Sequence, residues 1–328
     1  MAGRRRKKSG GRSYAWRYRG RIVACVFVEV IIICALVIMI GWNKGVKEWF
    51  EQFEQPVLKE VDISGINSPN AILMQARGGK ILGEINGEAQ IYPASMTKIM
   101  TVILGIENFD DLDEKITLTN EMFAGLYEQD ATQAGFQPGE EVRVIDLLYG
   151  AMLPSGAECC IALADTISGS EADFAELMNK KAGKLGMENT HFCDSTGLHN
   201  PDHYSTVKDI AVLMKYCIKN DTFREIVETS RHSTGVTNIH PDGITYYSTM
   251  FKNLSDPTVT GGKILGGKTG YTSEAGHCLV SFAEIEGREY IFVSAGASGA
   301  DGNTIPHIQD AVTVYNRVGA AIEAKMND

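Results

Sequence analysis

Tyr92-Pro93-Ala94-Ser95-Met96-Thr97-Lys98 runs directly into the apolar stretch Ile99–Leu104. Proline suits the entry to a helix, so this spacing predicts a helix with Ser95 in its first turn. Residues three apart share a helix face, which sets the Lys98 amine beside the Ser95 hydroxyl. The helix N-terminus adds partial positive charge where an oxyanion would develop. A lysine with its ordinary pKa of about 10.4 is protonated at neutral pH and accepts no proton. Burial among apolar neighbours and a second nearby cation would both lower that value. Ser95 is therefore the candidate nucleophile and Lys98 the candidate base.

The spacing alone is weak evidence, because it recurs at Ser205-Thr206-Val207-Lys208. There Thr206 and Asp209 read as a helix capping box, a sufficient structural explanation. What separates the first site from the second is a distant partner, Lys268-Thr269-Gly270, followed by Tyr271-Thr272 on an expected strand. Lysine and threonine offer a charge and a hydroxyl to a carboxylate, and glycine leaves room for a substrate against the strand edge. Lys268 is also the candidate second cation near Lys98.

Outward from these motifs the chain reads as strands, then helices, then strands and a closing helix. Ala71–Ala76 and Ile81–Ile85 flank Arg77-Gly78-Gly79-Lys80, a hairpin signal. A helical zone runs from Ser95 to about Thr222 and includes Ile145–Leu153, Cys159–Ser168, Glu171–Leu185 and Thr206–Lys219. Strands return at Leu265–Thr269, Cys278–Glu284 and Arg288–Ala295, the last two joined at Glu286-Gly287. Thr304–Lys325 reads as an amphipathic helix. This order predicts an α+β fold in which one antiparallel sheet takes strands from both ends of the chain, with a helical subdomain between them.

Four stretches together resemble the D-alanyl-D-alanine carboxypeptidases, the low-molecular-mass penicillin-binding proteins of serine peptidase type. They are Tyr92–Lys98; Met152-Leu153-Pro154-Ser155-Gly156; Asp194-Ser195-Thr196-Gly197-Leu198 with His203-Tyr204-Ser205-Thr206; and Gly267–Thr272 through Ala275-Gly276. The likeness runs from about residue 67 to 320 and implies a β-lactamase/transpeptidase-like fold. It implies that Ser95 attacks the carbonyl between two D-alanines and becomes an acyl-enzyme, with Lys98 as base. Ser155 would relay a proton to the leaving amine, and Lys268 and Thr269 would hold the terminal carboxylate. The main-chain N–H groups of Ser95 and Tyr271, the latter after Gly270, would form the oxyanion hole. Peptidoglycan stem peptides would be the substrates and β-lactams covalent inhibitors, with a place in cell-wall synthesis and cell shape. No cofactor or metal is implied.

One departure stands between the motifs. The family's middle motif usually ends in asparagine two residues after its serine; here the position is Ala157, followed by Glu158. The contacts of the asparagine amide would pass to water, to Glu158 or to nothing. Two other readings follow. One is a non-catalytic penicillin-binding or peptidoglycan-sensing protein disabled by Ala157. The other is a serine β-lactamase, which would need a glutamate to activate water; no matching glutamate loop stands between Gly169 and Leu198.

The chain of 328 residues carries a net charge of -10, distributed unevenly. Residues 1–21 hold nine basic residues and no acid, leaving 22 basic against 41 acidic residues in the remainder. An acidic body argues against nucleic-acid binding. The basic head adjoins Ile22–Trp42, an apolar run of 21 residues broken only by Glu29. At about 1.5 Å per residue it can cross a hydrocarbon core of about 30 Å. The flanking charge sets the N-terminus in the cytoplasm and the rest outside a bacterial cell membrane, as a single-pass protein. No small-x-small cleavage site follows the run, so it reads as a retained transmembrane anchor. Glu29 in that run is either a shielded, protonated carboxylate or a contact to a partner helix.

The expected organisation is thus a cytoplasmic tail (1–21), an anchor (22–42), a juxtamembrane stalk (43–66) and a catalytic domain (67–328). Trp49, Phe50, Phe53 and Val57 recur in the stalk at helical spacing, either as an amphipathic segment on the membrane or as a short helix packed on the domain. Of seven cysteines, Cys25 and Cys34 fall in the anchor. Cys159, Cys160, Cys193, Cys217 and Cys278 show no Cys-x-x-Cys or zinc spacing and read as buried free thiols, with one disulfide as the alternative.

Overall fold

The computed structural model describes residues 58–254, 256–299 and 305–327. The basic tail, the apolar run with Glu29, Cys25 and Cys34, and most of the expected stalk lie outside the described residues. Among the described residues no helix is long and apolar enough to cross a membrane.

The first strands, β1 (Asn70–Gln75) and β2 (Ile81–Ile85), form the expected hairpin. A 3₁₀ turn, Ala94–Thr97, leads into α1 (Lys98–Asn108). Then come β3 (Lys115–Thr117), β4 (Glu141–Arg143), α2 (Val144–Met152), α3 (Ala157–Ser168), α4 (Glu171–Leu185), α5 (Val207–Cys217) and α6 (Asp221–Glu228). After these follow β5 (Arg231–Ser233), β6 (Thr245–Tyr247), α7 (Thr249–Asn253), β7 (Thr258–Val259), β8 (Gly262–Thr272), β9 (Gly276–Ile285), β10 (Arg288–Ala297) and α8 (Pro306–Met326).

One sheet has the order β2-β1-β10-β9-β8-β7, with every neighbouring pair antiparallel. Strands from the start of the domain are therefore zipped to strands from its end, as the sequence order implies. Side chains alternate across a strand, and here each face meets its own core. Ile72, Met74, Val280, Phe282, Ile291 and Val293 pack under the helices, whereas Ala71, Leu73, Leu279, Ala283, Tyr290 and Phe292 pack against α8. This double burial explains why β9 and β10 read as apolar runs rather than as an alternating pattern. On the α8 side, Tyr315 is fully buried, and its hydroxyl accepts from Phe292 N at 3.1 Å and lies 3.1 Å from Ser281 Oγ.

The packed body starts earlier than residue 67. Leu58, Val61 and Ile63 are buried in the α8-side core, Val61 N donates to Leu82 O, and Lys80 Nζ donates to Leu58 O. The last part of the expected stalk thus belongs to the domain, because its apolar residues complete the face that β2 leaves open. The helical zone is also interrupted: β3 and β4 pair as a small hairpin, and β5 pairs with β6. Strands of three residues are too short to leave a period in the sequence. Around Ser205, Thr206 Oγ1 accepts from Asp209 N at 3.0 Å, capping α5, and Lys208 pairs with Glu88 at the surface. Such a cap stabilises a helix by about 1 kcal/mol. Cys159, Cys160, Cys193, Cys217 and Cys278 are all free thiols.

Candidate active site

Pro93 turns the chain from the Ile91 bridge into the 3₁₀ turn, and Ala94 takes φ +47°, a left-handed conformation rare for alanine. Ser95 lies in this turn, three residues ahead of the start of the α-helix in whose first turn it was expected. The difference sharpens the alignment, because side chains three apart eclipse in a 3₁₀ turn. Lys98 Nζ stands 3.0 Å from Ser95 Oγ. α1 is buried nearly all round, through Ile99, Met100, Val102, Ile103 and Leu104, and so carries Lys98 into the interior at 4% exposure. Burial lowers the Lys98 pKa, against the nearby Cys160 and Asp194, which favour its charge.

Lys98 has a second partner that sequence reasoning missed. Its Nζ donates to the Thr196 carbonyl at 2.6 Å. The loop holding that carbonyl is tied down on every side. Asp194 Oδ1 accepts from Thr196 N, Thr196 Oγ1 and Gly197 N, each at 2.7 Å. Asp194 Oδ2 lies 3.1 Å from His203 Nδ1, and His203 Nε2 lies 2.9 Å from Thr97 Oγ1. Ser195 O accepts from Thr101 Oγ1 at 2.6 Å, and Ser195 N donates to Glu171 Oε1 at 3.2 Å. Burial works against the Asp194 charge, but His203 and Thr196 prevail and hold its carboxyl at about 2. Gly197 is at φ +80°, and a Cβ there would sit 1.9 Å from Ala94 O. The loop therefore lies flush against the nucleophile turn only because this residue has no side chain.

β8 brings the second motif. It pairs with β9 along its length but with β7 only at Gly262 and Lys263, so among the described residues the stretch from Lys268 to Tyr271 has one edge unpaired by a strand. A Cβ on Gly270 would lie 3.0 Å from Ser95 N and 3.2 Å from Pro93 O. The glycine thus makes room for the nucleophile turn itself, where a substrate was expected, and it brings the β8 backbone alongside the Ser95 amide. That juxtaposition is what an oxyanion hole built from Ser95 N–H and Tyr271 N–H requires. Thr269 Oγ1 is 2.7 Å from Thr249 Oγ1. Lys268 is only 1% exposed, and its Nζ donates to Thr269 O at 3.0 Å, beneath the cavity surface rather than in its wall. Burial, joined by the charge of Lys98, brings Lys268 down to about 7. Burial is the largest cause at both lysines, and because repulsion is mutual each disfavours the other's charge, as expected of a second cation beside Lys98.

The middle motif joins α2 to α3. Ser155 is 6% exposed at φ +74° and lines the same cavity as Ser95. Ala157 opens α3, and its N–H donates to Thr132 O at 2.8 Å. Glu158 does not replace the asparagine. Its Oε1 accepts from Ala134 N at 2.6 Å and Gly135 N at 2.9 Å, holding a loop, while burial raises its pKa. Beside Ala157 is a space of about 60 Å³ bounded by Ser95, Lys98, Thr196 and Tyr271.

A cavity of about 440 Å³ brings together Ser95, Ser155, Thr269, Gly270 and Tyr271. It also includes Thr249, His277 and His307, which carried no motif signal. The stretches Asp194–Leu198 and His203–Thr206 marked the lysine-holding loop, but only folding shows that the contact runs through a main-chain carbonyl.

A half-buried serine beside a buried lysine at a helix entry, facing the edge of an antiparallel sheet, defines this molecule as an active-serine protein of the peptidase class. Residues 57–299 match the family model described as D-alanyl-D-alanine carboxypeptidase, and the chain belongs to that family. It is 34% identical over 233 residues to D-alanyl-D-alanine carboxypeptidase DacF of Bacillus subtilis, covering 70% of this chain and 57% of the relative. It is 35% identical over 236 residues to the D-alanyl-D-alanine carboxypeptidase of Streptomyces sp. strain K15, covering 70% and 78%. The crystal structure of the Streptomyces K15 DD-transpeptidase superposes with a TM-score of 0.71 at 29% identity, over 80% of this chain and 100% of that one. The match spans 57% and 58% of the length of the Bacillus subtilis DacF and Escherichia coli DacC relatives.

Proposed function

We propose that this chain is a serine D-alanyl-D-alanine carboxypeptidase that removes the terminal D-alanine from peptidoglycan stem peptides and is acylated by β-lactams. The observation that carries the reading is the Ser95–Lys98 pair, 3.0 Å apart, with Lys98 buried and anchored by Thr196 O. A neutral Lys98 that spends one N–H on that carbonyl keeps its lone pair for the Ser95 proton. Ser95 Oγ then bonds to the carbonyl carbon between the two D-alanines, and the oxyanion is met by Ser95 N–H and Tyr271 N–H. The C–N bond breaks, the proton passes through Ser155 to the leaving amine, and free D-alanine departs. Water adds to the ester, Lys98 takes its proton, and Ser95 is regenerated. Lys268 contributes positive charge beneath Thr269, whose hydroxyl faces the substrate.

Ala157 does not remove the base, because Thr196 O supplies a partner for Lys98. Nor does the deacylating glutamate of a β-lactamase have a counterpart in Glu171, whose carboxylate is taken by Ser195 N and Oγ.

The sequence supports a further proposal for placement: Ile22–Trp42 is one membrane span with the basic tail in the cytoplasm and the catalytic domain outside. Its support is the apolar run and the flanking charge.

Intact-mass measurement of the chain with benzylpenicillin, and of a peptide ending in D-Ala-D-Ala incubated with it, tests the activity. The expected result is a penicillin adduct absent from Ser95→Ala, and loss of one alanine from the peptide. An adduct with an uncut peptide indicates a sensor, and rapid turnover of penicillin a β-lactamase.

A further inference from the structure

With alanine at position 157, the middle motif brings no amide of its own to the space of about 60 Å³ that Ala157 borders. The wall of that space also includes Ser95, Lys98, Thr132, Thr196 and Thr272. The acyl group that stays on Ser95 carries an amide of its own, and covering its carbonyl without a donor is unfavourable. Most side chains of this wall are committed elsewhere. Thr196 Oγ1 donates to Asp194 Oδ1 and accepts from Leu198 N, and Thr272 Oγ1 is held by the turn at Ala275 N. Tyr271 lays its ring on His277, with centroids 4.6 Å apart. Asp130, when ionised, accepts and does not donate. Ser95 and Lys98 belong to the bond-making step.

Thr132 remains. It is exposed, and its side chain makes no hydrogen bond among the described residues. It lines both this space and the cavity of about 440 Å³, so it borders Ser95 from either side of the opening between them. Its hydroxyl is a donor as well as an acceptor.

The residues around Ala157 fix Thr132 in place. The Thr132 carbonyl accepts from Ala157 N at 2.8 Å. Further along the same loop, Glu158 Oε1 accepts from Ala134 N at 2.6 Å and from Gly135 N at 2.9 Å. Gly156 lets the loop lie this close, because a Cβ there would sit 2.7 Å from Ala134 Cβ and 3.0 Å from Ala134 N. Ahead of Thr132, Ala131 N donates to Leu126 O at 2.9 Å, and Asp130 takes φ +51°. Left-handed backbone at a non-glycine residue persists only where its surroundings over-determine it. Behind it, Phe136 is buried edge-on against Tyr246. Glu158 is fully buried, and its Oε2 has no hydrogen-bond partner among the described residues. The carboxyl is therefore kept in the interior by its grip on this loop alone.

We propose that Thr132 is a substrate-binding residue, giving its hydroxyl to the N-acyl carbonyl on the side of the substrate that Ser95 retains, and that Glu158 is the positioning residue that keeps it there. The proposal rests on the carboxypeptidase reading and names the chemistry this part of the site selects. That chemistry is an acylamino group next to the carbonyl that Ser95 attacks, present in a peptide ending in D-Ala-D-Ala and in the side chain of benzylpenicillin. It also accounts for Ala157, since a donor supplied by the loop makes an amide at that position redundant.

Two readouts on the full chain test this. The first is the ratio of acylation rates by benzylpenicillin and by 6-aminopenicillanic acid, which lacks the acyl carbonyl. Thr132→Val is expected to lower that ratio about fivefold, the size of one net hydrogen bond, and Thr132→Ser to keep it. Adding Ala157→Asn to Thr132→Val is expected to restore the ratio. Glu158→Ala is expected to lower it as Thr132→Val does, Glu158→Gln to preserve it, and Glu158→Ala to lower it no further once Thr132 is valine. An unchanged ratio in Thr132→Val, or no recovery with Ala157→Asn, overturns the role of Thr132. A Glu158→Ala variant that slows both β-lactams equally overturns the positioning role. The second readout does not depend on catalysis. It is NMR titration of Ser95→Ala with N-acetyl-D-alanyl-D-alanine and with N-propionyl-D-alanine, which lacks the acetylamino group. The first peptide is expected to bind more tightly, and Thr132→Val to remove the difference. Equal binding, or a difference that survives Thr132→Val, overturns the proposal. Failure of wild type to react with either β-lactam contradicts the carboxypeptidase reading instead, and the titration then decides Thr132 alone.

Discussion

The Thr196 carbonyl accepts a hydrogen bond from Lys98 Nζ at 2.6 Å, so the buried lysine has a main-chain anchor besides its contact with Ser95. A main-chain anchor does not depend on the residue at position 157. Ala157→Asn is therefore expected to change the rate of penicillin acylation less than tenfold, while filling the space of about 60 Å³ beside Lys98. Stopped-flow acylation of the variant checks this; a gain of a hundredfold or more would show that the alanine had disabled the base.

The anchor itself is fragile at Gly197. A Cβ there would meet Ala94 O at 1.9 Å, and the residue is at φ +80°. Gly197→Ala is expected to destabilise the domain by about 3 kcal/mol or more, through backbone displacement and left-handed strain together. It should also separate Lys98 from Ser95. Gly270→Ala meets Ser95 N at the longer distance of 3.0 Å. That variant is expected to keep most of its stability and lose at least tenfold in acylation, because the oxyanion site shifts by tenths of an ångström. Thermal unfolding and penicillin adduct formation, measured on both, separate the two outcomes.

How much of this was legible beforehand follows from the kind of contact involved. Ser95, Lys98, Ser155 and Thr269 come together as their motifs implied, because each sits at a fixed offset within a short local element. The sheet built from both chain ends was readable because β1, β9 and β10 are strongly apolar between clear turns. β8 was read as Leu265–Thr269 and spans Gly262–Thr272, since Gly262, Gly266, Gly267 and Gly270 weaken its strand signal. Thr196 O, His277 and His307 were not legible. A carbonyl has no sequence signature, and two histidines 30 residues apart become neighbours only when α8 docks beside β9.

Acylation should depend on pH with a sign fixed by Lys98. Lys98 must be neutral to take the Ser95 proton, and burial lowers its pKa. The acylation rate, followed from pH 6 to 8, is therefore expected to rise as Lys98 loses its proton. A rate that falls over that interval would be inconsistent with lysine as the base.

Stability in acid should report on the Asp194 cluster. Its carboxyl pKa is depressed to about 2 in the folded chain, from an ordinary value of 3.8. The stability it contributes is present above the ordinary value and is lost as pH falls through the folded one. The shift corresponds to about 2 kcal/mol. Asp194→Asn is expected to be less stable at pH 6 and to show a flatter loss between pH 4 and 2. Parallel curves for variant and wild type in urea unfolding would remove Asp194 from this role.

The central claim is that Ser95 is acylated with Lys98 as its base. The most direct measurement is the rate and position of benzylpenicillin attachment in wild type, Ser95→Ala and Lys98→Met, read by intact mass and peptide mapping. The account predicts one adduct, located on Ser95, absent from Ser95→Ala and slowed at least a thousandfold in Lys98→Met. An adduct at another residue, or an undiminished rate without the Lys98 amine, would contradict it.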